Sequence, residues 1–260
     1  MSGKWKIFLV AAAVALAIIF RLRTGSPRAW LPYSGALTRV TFSTNGRISP
    51  QWISEELHIR GGVNLLSVDI ESMRMHLEKF QQIRRVAIEK RYPCELSIKL
   101  EERLPILKIA ANVGGEKKLL LVDGIDGEIF SPICYSREDV SRIPFAIFPI
   151  AESADKSKFT PLRGVDIVRD FIVTLRSDFP DIFSGVRFID LENYDSRPGA
   201  LWSTIKFHMK NGIVVVFGTQ NFTLQLLRLD YLLQEKCAAN LHRVKEINLS
   251  SSANAVVEYK

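Results

Sequence analysis

Acidic residues crowd into one short stretch, DGIDGE, which holds Asp123, Asp126 and Glu128. Clustered carboxylates are how proteins hold hard cations such as calcium, but the standard calcium loop needs acids at alternate positions and a distal glutamate. This spacing does not supply them. Asp-Gly pairs also make tight turns between strands, and a turn is the expectation here. The 4 histidines, His58, His76, His208 and His242, stand far apart, and neither HExxH nor GxSxG occurs. Each reads as a surface or interface histidine. GxGxxG and GxxxxGK[ST] are missing too, so Gly61-Gly62 is punctuation between a helix and a loop. No catalytic set, no metal and no cofactor is expected, and the chain reads as not an enzyme. A hydrolase assembled from distant residues is the rival, and it needs a pocket holding acid, base and nucleophile together.

Cys94, Cys134 and Cys237 are widely spaced and odd in number, without a CxxC or a Cys/His set at zinc spacing. Three buried thiols are the expectation; one disulfide plus a free thiol is the alternative outside the cytosol. The basic residues Arg84, Arg85, Lys90 and Arg91, interleaved with Glu89, are the best nucleic-acid candidates. They lack the interleaved aromatics of a single-strand platform, so no nucleic acid is expected. A sheet surface facing a membrane or partner is the preferred reading, a plain solvated face the alternative. The formal charge of +7, from 35 Lys+Arg against 28 Asp+Glu, suits an anionic membrane surface as well as nucleic acid. With 47% hydrophobic residues and 10% aromatics, a packed core rather than disorder is expected.

The elements that must position these residues begin after an apolar run, Ile7–Phe20, without a charged residue. It is short for a spanning helix, but Trp5 and Leu22 extend it and Lys6 and Arg21 can snorkel from its ends. A cleaved signal peptide is the rival, disfavoured by Arg21, Arg23 and Arg28 and by the lack of a small-x-small site just after the run. Residues 1–6 are then a cytoplasmic stub, 7–22 a single-pass transmembrane anchor and 23–36 a Pro/Gly/Ser-containing linker whose Trp30 and Tyr33 suit the headgroup level. Positive residues flank both sides of the anchor. With the N-terminus inside, the folded mass is extracytoplasmic.

Residues 37–105 read as strand, helix, helix, strand, strand. Val40 and Phe42 mark the buried face of the first strand, and Ser49-Pro50 starts a helix burying Ile53 and Leu57. Asp69 heads a helix with Ile70, Met73, Leu77 and Phe80 on one stripe. A strand spans Ile83 to Arg91, and the next sets Leu96, Ile98 and Leu100 against Glu95, Ser97, Lys99 and Glu101. Residues 106–260 read as a strand-rich second domain. Its strands are expected at Leu119–Val122, Val186–Leu191, Leu201–Met209, Ile213–Gly218, Val244–Leu249 and Ala255–Tyr259. Its helices are expected from Asp166 to Phe179, burying Ile167, Phe171, Ile172 and Leu175, and from Phe222 to Ala239 through Leu226, Leu229 and Leu233.

RVTFSTNGRIS and GVNLLSVDIESMRMHLEKFQQIRRVAIEKRYPCELSIKLEERLPI together closely resemble the POTRA domain of the bacterial cell-division family FtsQ/DivIB. The residues that carry the resemblance are Gly62, Asn64, Leu65, Leu66, Asp69, Val86, Arg91, Pro93, Leu96, Ile98, Glu102, Arg103 and Pro105. LLLVDGIDGEIF, RIPF and NGIVVVFG are similar to segments of that family's second domain. The resemblance implies an α+β chain: an N-terminal transmembrane helix, a POTRA domain (β-α-α-β-β), then a β domain with helices. It further implies a non-enzymatic divisome scaffold at the septum of the inner (cytoplasmic) membrane. Its implied partners are FtsB-like and FtsL-like subunits, with FtsK and septal peptidoglycan synthases as further ones. An FtsB-like partner would add a strand to the last strand of the second sheet, here Ala255, Val256, Val257, Glu258 and Tyr259. The chain departs from the family at Asn248-Leu249-Ser250, where D-L-R is usual, and at Ser251, where an aromatic is common. A POTRA chaperone or assembly module of envelope protein transport is the alternative. It calls for tandem POTRA repeats or a C-terminal barrel, and the sequence reads as neither.

Overall fold

The structure, a computed structural model, describes residues 35–150, 159–197, 200, 202–236, 243–251 and 254–260. The expected stub and anchor and nearly all of the linker lie outside the described residues, as do Cys237 and His242. Among the described residues no helix is long and apolar enough to cross a membrane.

The first elements are β1 (Arg39–Thr44), α1 (Pro50–Glu56), α2 (Ile70–Leu77), β2 (Ile83–Arg91) and β3 (Glu95–Glu102), in the expected order. The strands form one sheet, ordered β1-β3-β2. Leu96, Ile98 and Leu100 of β3 are buried as their alternation predicts. Val40 is not: it is 41% exposed on the edge strand β1, and Leu37, just before that strand, takes the buried place at 3%. Leu57 is also only half-buried, because it is the residue that ends α1.

The chain gathers into two compact units. The first joins residues 35–42 with Ile59–Ile70 and Ile88–Ile98. Leu65, Leu96 and Ile98 are its fully buried residues. Asn64 accounts for one motif position: its side chain accepts from the N–H of Leu66 at 2.9 Å and so caps the 3-10 turn Leu65–Ser67. Gly62 sits at φ 83, a left-handed conformation that suits glycine, and its N–H donates to the carbonyl of Leu37 at 3.0 Å.

The second unit takes Ser43–His58, Glu71–Ala87 and Lys99–Lys260. Ser49 caps α1 by accepting from the N–H of Trp52 at 3.1 Å, with Pro50 at the first helical position. Trp52 meets Phe80 edge-on at 4.9 Å. After β3 comes a strand not expected from the sequence, β4 (Pro105–Val113). It pairs antiparallel with β5 (Glu116–Asp123), which pairs with β6 (Ile129–Phe130). Leu107, Ile109 and Ala111 are the buried alternate residues of β4, and Gly114 and Gly115, both at positive φ, turn it into β5.

The remaining elements are α3 (Arg137–Ser141), β7 (Ala146–Ile147), α4 (Val165–Asp178), α5 (Pro180–Gly185), β8 (Val186–Asp190), β9 (Thr204–Met209) and β10 (Val214–Gly218). They are followed by α6 (Phe222–Tyr231), a π turn (Leu232–Lys236), β11 (Val244–Asn248) and β12 (Val256–Tyr259). These strands form a six-stranded sheet in the order β12-β11-β10-β9-β8-β7. Asn211-Gly212 makes the β9–β10 hairpin as expected, with Gly212 at φ 85. β10 and β11 run parallel, which requires a crossover, and α6 with its π turn supplies it.

α4 buries Val165, Val168, Phe171, Ile172 and Leu175, whereas Ile167 is only half-buried because the apolar stripe runs through Val168 instead. Phe171 is the hub of the core. It stacks on Phe207 at 5.0 Å and on Phe222 at 4.2 Å, and meets Phe217 at 4.9 Å. Burying one such side chain contributes about 1.5–3 kcal/mol.

Candidate partner-binding edge

β12 ends the six-stranded sheet, so among the described strands it has one neighbour, β11. The register pairs Val244 with Tyr259, Glu246 with Glu258, Ile247 with Val257 and Asn248 with Val256, with a bulge between Val244 and Glu246. The N–H of Lys260 donates to the carbonyl of Arg243 at 2.7 Å. Strand alternation then turns the backbone groups of Glu258 and Val256 toward β11 and those of Val257 and Tyr259 outward. Among the described residues no strand lies along the outer rim of β12.

Side chains alternate the other way, across the two faces. Ala255 and Val257 are half-buried and pack on the main core. Val256 is 62% exposed and Tyr259, beyond the edge of the core, is 59% exposed. Glu258 is ion-paired across the strands with Lys245 at 2.6 Å. That hydrogen bond, together with the carboxylate's charge, holds the Lys245 ammonium above its ordinary pKa.

Two further surface features lie outside the sequence expectations. Leu224, Leu227 and Tyr231 are exposed along one side of α6, while Leu226 and Leu229 fill the core from the other. The signal was there in a helix apolar on both sides. At the departures from the family pattern, Asn248, Ser250 and Ser251 line an open cleft of about 740 Å³ with Trp202 and Arg228. Trp202 is 88% exposed.

The basic residues of β2 do not form one outward face. Period-two alternation sends Arg84 inward with Val86, where its side chain is 17% exposed and pairs with Asp123, and with Asp126 at 3.4 Å. Arg85 points outward, 78% exposed, 3.7 Å from Glu101. In the first unit, Lys90 donates to the carbonyl of Leu66 at 2.9 Å, and Arg91 lies 3.6 Å from Glu95.

The cysteine expectation is corrected for the two that are described. Cys134 is exposed, in a loop with φ 58, and Cys94 is half-buried; neither is in a disulfide. His76 pairs with Glu56 at 2.8 Å, and His208 stacks on Phe188 at 4.1 Å. Among the described residues no group of His, Cys, Asp and Glu is placed to hold a metal ion. The DGIDGE stretch is a turn between β5 and β6, as expected.

A three-stranded sheet with two helices is thus followed along the chain by a six-stranded sheet that β12 ends. Comparison with known families specifies the first module: residues 36–103 match the family model described as POTRA domain, FtsQ-type. The match supports the FtsQ/DivIB family for this chain, and with it a family of cell-division scaffolds. No curated protein matches the chain.

Proposed function

We propose that this protein is a non-enzymatic divisome scaffold that binds FtsB-like and FtsL-like subunits by strand addition at β12 and helps recruit septal peptidoglycan synthases. The observation that carries this reading is the rim itself. Val257 and Tyr259 aim their backbone groups away from β11, beside an exposed valine and tyrosine. Unpaired strand edges supply affinity through the main chain and specificity through alternate side chains. The FtsQ-type POTRA module supports divisome partners in general and a place at the division septum. The POTRA module serves localisation and contact with FtsK. The apolar run at residues 7–22 is the proposed single anchor, N-terminus inside, leaving both modules outside the inner membrane.

The test is a pull-down of the purified FtsB-like and FtsL-like partners on Val257→Pro and Tyr259→Ala variants, with circular dichroism to confirm folding. Folded variants that bind weakly support the edge; normal binding by both rejects it. A fluorescent fusion of the full chain should collect at midcell, and an even distribution around the envelope would contradict the septal role.

A further inference from the structure

Buried polar side chains cluster where the first module meets the second, and strand addition at β12 makes no use of them. Glu102, 1% exposed, is one centre. Its carboxylate accepts from the N–H groups of Arg47 and Ile48, each at 2.9 Å, from the Thr44 hydroxyl, and from the Gln82 amide at 2.6 Å. Its own N–H donates to the Asn45 side chain at 2.6 Å. Gln82, fully buried, carries the chain onward: its oxygen accepts from the N–H of Ile133 at 2.6 Å and its nitrogen donates to the Ile133 carbonyl at 3.2 Å. A POTRA side chain thus pairs with a peptide beyond β6, as a neighbouring strand would.

Asp123, also fully buried, is the second centre. It accepts from the N–H of Leu104 at 2.9 Å, from those of Ile125 and Asp126 at 3.0 Å, and from the guanidinium of Arg84. Arg103 spans the same junction, donating to the carbonyl of Gln81 at 2.7 Å and lying 3.4 Å from Asp126. The Glu-Arg-x-Pro end of the first module and the Asp-Gly turn of the second, separate motifs in the sequence, make one constellation in space. There is no slack in it, since a Cβ at Gly46 would come within 2.3 Å of the Glu102 carboxylate.

We propose that Glu102–Gln82 and Asp123–Arg84 are the two pins of a polar latch that makes the helix α1 region of the POTRA module and the β domain open as one cooperative body. A buried carboxylate stripped of a single donor is left with an uncompensated charge, so a partly opened network is worse than either extreme. That penalty forbids one side from opening alone. It leaves the rim of β12 on a support that does not loosen when α1 is pulled or bound.

Hydrogen exchange by mass spectrometry on the full chain in detergent micelles, at rising sub-denaturing urea, tests the latch. In the wild type the protected amides of α1 and of α4 should converge to opening rates within about twofold. Gln82→Leu combined with Arg84→Met should speed α1 exchange at least tenfold while α4 stays within about twofold. The milder Thr44→Val, which removes one donor to Glu102, should separate the two in the same direction should the double variant not fold. Unrelated rates in the wild type, equal acceleration of both helices, or no change in any variant would each overturn the proposal.

Discussion

Proline at position 257 should weaken partner binding and leave the fold intact, whereas proline one residue later should damage the fold. The difference follows from alternation along β12. The N–H of Val257 points outward and makes no ladder bond, so a proline there removes only the donor offered to an added strand. One backbone hydrogen bond contributes about 0.5–1.5 kcal/mol net, and the ring also crowds an incoming carbonyl. The combined loss should weaken binding about tenfold, equivalent to about 1.4 kcal/mol. At Glu258 the N–H faces β11, and the side chain holds Lys245 at 2.6 Å. Glu258→Pro breaks a ladder bond and strands its acceptor, a cost of about 2–4 kcal/mol, which lowers the melting temperature by several degrees. Isothermal titration with the purified FtsB-like partner and thermal melts of the full chain measure the two effects. Wild-type affinity for Val257→Pro, or equal thermal damage in both variants, would refute the assigned direction of the rim.

Two other measurements probe the body that holds this edge. Phe171→Ala removes the hub of the aromatic core and should cost about 3–5 kcal/mol in urea unfolding, with the partner still bound at temperatures where the variant is folded. Burial pushes Tyr135 and Tyr194 each up to about 12, so the unfolded chain, with tyrosines near pH 10, ionises first. The folded state then binds more protons, and stability should fall as pH rises from 10 toward 12. Tyr135→Phe and Tyr194→Phe should each flatten that loss in melts across this range, although Tyr194→Phe also loses the hydroxyl bond to Gly164 at 2.6 Å and starts about 1 kcal/mol lower.

Local signals carried far in this chain. β2 runs from Ile83 to Arg91 as its alternation predicts, and Asn211-Gly212 forms its hairpin, because period two and turn chemistry are properties of a few adjacent residues. β4 escaped because Lys108 and Asn112 dilute its alternation, and because Pro105 suggested a boundary where the structure begins a strand. Gly114-Gly115, both at positive φ, makes a tighter turn than Asn211-Gly212, where Gly212 alone takes the left-handed conformation, and it goes unnoticed when only one of its strands has been recognised.

The candidate edge divides along the same line. The sequence is enough to name Ala255–Tyr259 as a strand. It does not decide that this strand is terminal, since that depends on α6 carrying the chain over so that β11 lies parallel to β10. Arg84 teaches the converse lesson. As a member of a basic run it reads as surface, yet adjacent strand residues face opposite ways, so Arg84 and Arg85 were never able to share a face. Charge counted along the chain overstates a patch that alternation divides. The half turned inward became a buried ion pair with Asp123, the residue whose acidic cluster first suggested a cation site. That carboxylate's cation is the Arg84 guanidinium, supplied by the preceding module of the same chain.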